Sequence, residues 1–141
     1  MVLRMNKNIY QKRFPVTICN DHIGGSLGES IFHFFLRESL LQQSNNEYSI
    51  SDKGWDELEL IGVNINALQT SSRKKVSICV EKNFGIIYEH IGAHLGSLLL
   101  QRFLELAWIH QPSTAVYELS QDGLQGLQSM GVKIKPLISM V

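Results

Sequence analysis

The amino-acid sequence predicts an α+β fold of two tandem repeats that are related by a pseudo-twofold axis. Each repeat is expected to hold a short strand, a long helix, a wing-like strand and a short helix. Three observations support this prediction: a motif that returns after 68 residues, helical spacing of the apolar residues that follow it, and a composition that permits a core. Of the 141 residues, 44% are hydrophobic and 18% are charged, which is typical of a globular protein.

The repeat is visible in three blocks that keep the same order. The sequence DHIGGSLG at Asp21–Gly28 returns as EHIGAHLG at Glu89–Gly96, and the block at 48–55 returns 69 residues later. Val16–Cys19 corresponds to Val76–Cys79 at an offset of 60, so the second repeat has eight extra residues between its cysteine and its histidine. We therefore divide the chain into a basic amino-terminal arm (1–13), repeat 1 (14–65), a polar linker (66–75), repeat 2 (76–135) and a carboxyl-terminal tail (136–141).

Each repeat is expected to begin with a strand and to continue into a long amphipathic helix. Val16–Cys19 alternates as a strand does, and the apolar residues from Ile23 to Phe35 follow helical spacing. Asp21 and Glu89 are predicted to stand at the starts of the two long helices, where a carboxylate interacts well with exposed amide groups. Each cysteine is then expected on a strand and each histidine near the start of a helix.

The short helix of each repeat has defined start and stop signals. Ser51 and Ser120 follow strand-like segments, and serine is a natural amino-terminal cap. Gly62 and Gly131 are expected to end these helices, because glycine readily adopts the left-handed conformation that terminates a helix.

Two glycines lie four residues apart in each repeat and indicate a site of close packing. A glycine inside a helix costs about 1 kcal/mol relative to alanine, so another interaction must offset it. We expect the long helix of one repeat to pack closely against that of the other at these positions. The alternative is that the first glycine of each pair lies in the turn before the helix. The residues concerned are Gly24, Gly28, Gly92 and Gly96.

Symmetric packing of the repeats would bring one cysteine and one histidine from each repeat together. The predicted ligand-binding set is Cys19, Asp21, His22, Cys79, Glu89 and His90. Two cysteines and two histidines suit tetrahedral zinc, but the spacings C-x2-H and C-x10-H match no standard zinc motif. The sequence therefore predicts no cofactor, with zinc as the alternative. Inert buried side chains and a pocket for a small-molecule or redox effector are the other two interpretations of the same residues.

The charge distribution argues against a DNA-reading surface. Net charge is zero, but residues 1–20 carry +4, 21–65 carry −6, 66–88 carry +3 and 89–141 carry −1. Because DNA affinity requires several neutralised phosphates, the acidic first repeat should repel a duplex. Nucleic acid is expected to be contacted only through an attached domain or through the basic arm and linker. The candidate residues in those segments are Arg13, Arg73, Lys74 and Lys75.

Other functional classes are excluded by missing signals. The sequence has no G-x-S-x-G, no phosphate-binding glycine loop and no H-E-x-x-H, which predicts that the protein is not an enzyme. No apolar run is long enough for a membrane helix, and no secretion signal is recognisable. The two cysteines are therefore expected to be free thiols in the cytoplasm.

The pattern Y-x-[IL]-S-x-x-G-[WL]-x-x-L resembles the wing strand and following helix of winged-helix regulators. The wider order, from Cys-Asn-Asp-His-Ile-Gly-Gly to a second cysteine and then His-Ile-Gly-Ala-His-Leu-Gly, is similar to the region after the DNA-binding domain in a subgroup of ArsR-type bacterial transcriptional regulators. The similarity covers about residues 14–135 and makes each repeat half-winged-helix-like. The chain departs from the second motif of that subgroup, with Glu81 in place of aspartate and Lys82 in place of tryptophan.

The resemblance implies an effector-sensing and dimerisation module of an ArsR-like transcriptional regulator, without a DNA-reading face of its own. A homodimer and a small-molecule effector are the expected assembly and ligand, and no membrane contact is expected. Two alternatives stay open: a stand-alone winged-helix-like DNA-binding regulator that uses its basic arm, and a protein–protein interaction module.

Overall fold

A computed structural model describes residues 14–134 and shows a mixed α+β architecture, which confirms the predicted fold class. All strand pairs within this range are antiparallel. The basic arm and the tail lie outside the described residues. The elements are, in chain order, β1 (Pro15–Val16), β2 (Ile18–Cys19), β3 (His22–Ile23), α1 (Gly25–Arg37), β4 (Leu41–Ser44), β5 (Glu47–Ile50), α2 (Asp52–Ile61), α3 (Ile65–Gln69), β6 (Ser77–Asn83), β7 (Ile86–Gly92), α4 (Ala93–Glu105), β8 (Ile109–Ser113), β9 (Val116–Leu119) and α5 (Gln121–Met130).

Both halves of the chain follow the order hairpin, long helix, hairpin, short helix. In the first half these are β2–β3, α1, β4–β5 and α2, and in the second β6–β7, α4, β8–β9 and α5. Each single strand expected from the sequence is therefore a hairpin. Tight turns make this pairing local: Asn45 and Asn46 join β4 to β5 with φ of 51° and 66°, which is typical of a two-residue hairpin loop.

The short helices begin and end as predicted. The Gly54 amide donates a 2.9 Å hydrogen bond to the Ser51 hydroxyl before α2, and the Gly123 amide donates an equal one to Ser120 before α5. Gly62 and Gly131 follow these helices in the left-handed conformation. The serine caps and the glycine stops are thus confirmed.

The long helices begin four residues later than predicted, at Gly25 and Ala93. The expectation that Asp21 and Glu89 stand at the helix starts was wrong, because Asp21 lies in the β2–β3 turn and Glu89 lies on β7. In each half, the residues that follow the acidic residue belong to a paired strand. The helix starts only after that strand ends. Glycine 24 takes the capping position of α1 in an extended conformation.

The connection between the halves is partly ordered by the second long helix. The first part of the connection forms α3. In its last part, the carbonyls of Lys74 and Lys75 accept hydrogen bonds from the His94 and Leu95 amides at 3.0 and 2.8 Å. These bonds satisfy amides at the start of α4, where the capping residue Gly92 has no side chain. The predicted linker therefore also helps to begin α4.

The two halves share one core. Helix α1 packs on β7 and α4 packs on β3, so each long helix covers a hairpin strand from the other half. Strand β1 pairs with β9, which joins the start of the described chain to the last hairpin. Large side chains that are fully buried come from both halves, among them Leu58, Leu95, Phe103 and Leu127. Across residues 14–134, none of the helices combines the length and apolar character needed to cross a lipid bilayer.

Candidate metal centre

Four of the six side chains predicted to bind a ligand meet at the junction of the two halves. The Cys2His2 cluster consists of Cys19, His22, Cys79 and His90, and one ligand atom from each residue lies within 4.8 Å of all the others. Strands β2, β3, β6 and β7 each supply one of these residues. Both histidines lie on strands, three residues before the first residues of α1 and α4.

Hairpin register explains why these residues converge. Cys19 is the direct cross-strand partner of His22, and Cys79 is the direct partner of His90. Side chains at directly opposed positions project from the same face of a hairpin. Two residues separate the first pair and ten the second, so the eight extra residues add four to each strand. Because the side-chain period of a strand is two, this even extension keeps cysteine and histidine on one face.

Two of the ligand–ligand distances within the cluster are close to those of tetrahedral zinc. The sulfur atoms of Cys19 and Cys79 are 3.8 Å apart, and Nε2 of His90 is 3.0 Å from Nδ1 of His22. Two thiolates bound at about 2.3 Å to one tetrahedral zinc ion are about 3.8 Å apart, and two imidazole nitrogens are about 3.3 Å apart. The sulfur pair fits as it stands, and the nitrogen pair needs to separate by about 0.3 Å.

Burial keeps the two histidines neutral, which favours a cation, but it also keeps the Cys19 thiol protonated. His90 is fully buried and His22 is 6% exposed, and burial lowers the pKa of both imidazoles. Both rings are therefore neutral near pH 7 and each keeps a lone pair for a metal. Burial and the neighbouring Cys79 raise the pKa of the Cys19 thiol from 9.0 to about 11, with smaller contributions from nearby carboxylates. A bound cation would reverse this preference by displacing the thiol proton.

The helix glycines make room for the histidines. A Cβ atom on Gly28 would clash with the Ile23 carbonyl and lie 2.9 Å from Cβ of His90. A Cβ atom on Gly96 would clash with the Ile91 carbonyl and lie 2.9 Å from Cβ of His22. Close packing therefore does occur at these two positions. The segment that packs against each glycine is the histidine-bearing strand of the other half. We had expected the other long helix there.

The first glycine of each pair lies before the helix and faces the cluster. A Cβ atom on Gly24 would meet the Glu81 carboxylate and lie 3.4 Å from Cβ of Cys19. The equivalent atom on Gly92 would lie 3.4 Å from the His22 ring and 3.5 Å from Cβ of Cys79. Gly24 and Gly92 therefore agree with the alternative prediction that the first glycine of each pair precedes the helix.

The two acidic residues of the predicted set lie outside the cluster. Asp21 is half exposed, with Oδ1 3.7 Å from Nε2 of His22 and Oδ2 3.3 Å from the Arg73 guanidinium. Glu89 is exposed, because it precedes His90 on β7 and strand alternation directs it to the opposite face. Glu89 is therefore not part of the Cys2His2 cluster.

Glu81 contacts the cluster and was not among the predicted ligand-binding residues. Its Oε1 lies 3.1 Å from Nδ1 of His90 and accepts a 2.6 Å hydrogen bond from the Gly25 amide. Glu81 follows Cys79 by two positions on β6, so both side chains project from one face. That spacing is the sequence signal that would have found it.

The structure describes three of the residues predicted to contact nucleic acid, and these three do not form a strongly basic surface. Arg13 lies outside the described residues, and Arg73 is paired with Asp21. The side chains of Lys74 and Lys75 are exposed beside a cleft that Tyr48 and Trp55 also line. Two exposed lysines supply few of the phosphate contacts that a typical DNA site requires.

No protein-family model matches the chain, and neither a curated protein nor a solved structure is significantly similar to it. The functional conclusion therefore depends on the geometry of the cluster and on the chemistry of its donors.

Proposed function

We propose that the protein binds one zinc ion through Cys19, His22, Cys79 and His90. The observation that carries this proposal is the convergence of four donor atoms from four strands within 4.8 Å, with a sulfur separation of 3.8 Å. Two thiolates and two imidazoles are a donor set that zinc prefers, and the sulfur–sulfur distance fits a tetrahedral site.

The donor count favours a structural or regulatory role. Four protein ligands complete a tetrahedral zinc sphere and leave no open position for a substrate or an activated water. Reduced thiols are required for binding, which fits a cytoplasmic location.

We further propose that the ion is the effector of an ArsR-like regulatory module that works as a homodimer. Each half contributes one cysteine and one histidine, so a bound ion links hairpin β2–β3 to hairpin β6–β7. Metal binding thereby stabilises one arrangement of the two halves over others, which is the requirement for a ligand to shift an equilibrium. DNA contacts are assigned to an attached domain or to the basic arm.

Metal analysis of the purified protein tests this proposal. Protein prepared in reducing buffer without chelator is expected to hold one zinc ion per chain by plasma mass spectrometry. Cobalt substitution should give the intense visible absorption of tetrahedral cobalt and a thiolate charge-transfer band. His90→Ala should abolish both signals, and His33→Ala, which changes an exposed histidine on α1, should leave them intact. Absence of metal from the wild-type chain, even with zinc in excess, would contradict the proposal.

A DNA titration separates the module from the DNA-binding alternative. Random duplex at low salt is expected to remain unshifted by micromolar protein, with or without zinc. A shift that disappears steeply with added salt would favour a DNA-binding protein instead.

A further inference from the structure

We propose that Glu81 is the positioning residue of the metal centre, which holds the His90 ring for metal binding and joins it to the start of helix α1. This inference rests on the proposed zinc site and assigns a specific role to a residue outside the four ligands. Three observations carry it: the His90–Glu81 contact, the Gly25–Glu81 hydrogen bond, and the space that Gly24 leaves for the carboxylate.

The His90 ring requires a partner on the side away from the cluster. The residue is fully buried, and its Nδ1 atom makes no aligned hydrogen bond. Oε1 of Glu81 lies 3.1 Å from this atom, which is hydrogen-bond length, although the direction is unfavourable. Glu81 is thus the acceptor within reach of a buried donor.

Metal binding specifies which ring nitrogen carries the proton. Nε2 of His90 faces the cluster, 3.0 Å from Nδ1 of His22, so Nε2 is the atom that binds the ion. A neutral imidazole that binds metal through Nε2 must carry its proton on Nδ1. A carboxylate beside Nδ1 selects that tautomer and fixes the orientation of the ring, as carboxylate partners of zinc-bound histidines do.

The same oxygen interacts with the other half of the molecule. Oε1 of Glu81 accepts a hydrogen bond from the Gly25 amide at 2.6 Å, at the first residue of α1. Helix α1 has no acidic residue in its first turn, and its capping residue Gly24 makes no side-chain hydrogen bond. Glu81 therefore supplies the negative charge that stabilises a helix amino terminus. A side chain on Gly24 would occupy the position of this carboxylate.

The two histidines differ in the partners available to them. Glu81 is 16% exposed and lies in the extended part of β6–β7, which the shorter β2–β3 hairpin does not have. Asp21, beside His22, is 49% exposed and 3.7 Å from the ring. Because solvent weakens exposed ion pairs, Glu81 is expected to matter more for metal affinity than Asp21.

Two variants of the same hairpin test the role of Glu81. Zinc affinity is measured by competition with a chromogenic chelator. Glu81→Gln is expected to weaken zinc binding about 10- to 100-fold, as loss of a ligand-orienting carboxylate does elsewhere. Glu89→Gln removes the same charge from the exposed face of β7 and should leave the affinity unchanged.

Ring spectroscopy of the wild-type protein provides a second readout that does not depend on a variant that folds. Long-range proton–nitrogen correlation of the zinc form should show His90 protonated at Nδ1 and metal-bound through Nε2. Equal zinc affinities for Glu81→Gln and the wild type, or a His90 ring bound through Nδ1, would overturn the inference. Failure of the wild type to bind zinc would instead overturn the proposed function, so the two failures are distinguishable.

Discussion

The hairpins β2–β3 and β6–β7 supply the same two ligand types from very different lengths of chain. In β2–β3 the cysteine and histidine flank the turn directly, whereas in β6–β7 four further residues on each strand lie between them and the turn. The extension adds Glu81 near the cluster and exposed apolar side chains towards the tip, of which Phe84 is 97% exposed. The comparison teaches that cross-strand register, and not linear spacing, brings these four side chains together. It also shows that two equivalent ligand pairs can have unequal surroundings.

Removal of a thiolate should give the largest effect and tests whether the two pairs are equivalent. Cys19→Ser and Cys79→Ser should each weaken zinc binding by more than about 100-fold. This is more than the loss of a positioning residue is expected to cause. If zinc exceeds its Kd about 1,000-fold, it stabilises the wild type by about 4 kcal/mol, which both variants should lose. Chelator titration and thermal unfolding measure the two quantities. A large effect from only one cysteine would show that the pairs do not share one ion.

Alanine at the two helix glycines tests the reciprocal packing. Gly28→Ala would crowd Cβ of His90 and Gly96→Ala would crowd Cβ of His22, so each should destabilise the protein by about 1–3 kcal/mol. Urea unfolding of the metal-free protein measures the change without a contribution from zinc. Unequal losses would indicate that one histidine can move away more easily than the other. Two neutral substitutions would contradict the packing described here.

The pH dependence of zinc binding tests the state of Cys19. Its thiol has a pKa of about 11 and is protonated throughout the neutral range, so zinc must displace its proton. Affinity should therefore rise with pH, by about tenfold per pH unit for each proton released. Calorimetry in buffers of different ionisation enthalpy counts these protons. An affinity that is flat between neutral and alkaline pH would mean that Cys19 is already a thiolate.

A substitution at the tip of the longer hairpin should give the smallest effect. It tests whether the tip influences the Cys2His2 cluster. Phe84 has a φ of 53° in the β6–β7 turn, a left-handed conformation that a bulky side chain adopts at a cost of about 1–2 kcal/mol. Phe84→Asn should stabilise the protein by up to about 1 kcal/mol, because asparagine tolerates this conformation in a two-residue turn. Zinc affinity should be unchanged. A changed affinity would show that the tip influences the ligands after all.

Much of the fold and part of the site could be predicted from local sequence signals. The repeat correctly indicated which cysteines and histidines would meet, and Ser51 and Gly62 marked the ends of α2 because capping depends on neighbouring residues. Strand pairing was harder to predict from the sequence, because it depends on the register between separate segments. The sequence therefore placed His22 and His90 near helices, although they pair with cysteines on strands.

Glu81 lies on the same face of β6 as Cys79, but its contacts could not be predicted from the repeat. Its role depends on a contact with Gly25 across 56 residues of chain and on a histidine in the neighbouring strand. Neither contact has an equivalent in the first half, so comparison of the repeats could not reveal it. The similarity to ArsR-type regulators stays a prediction, because it concerns an activity that the cluster geometry does not test.

The pairing of β1 with β9 determines where the beginning of the chain leaves the domain. Pro15 and Val16 lie beside Glu118 and Tyr117, at the far end of the sequence. Strand β1 therefore lies next to the final hairpin, although the first cysteine-bearing strand follows it directly in the chain. A displacement of that final hairpin would move β1 with it, because main-chain hydrogen bonds join the two strands.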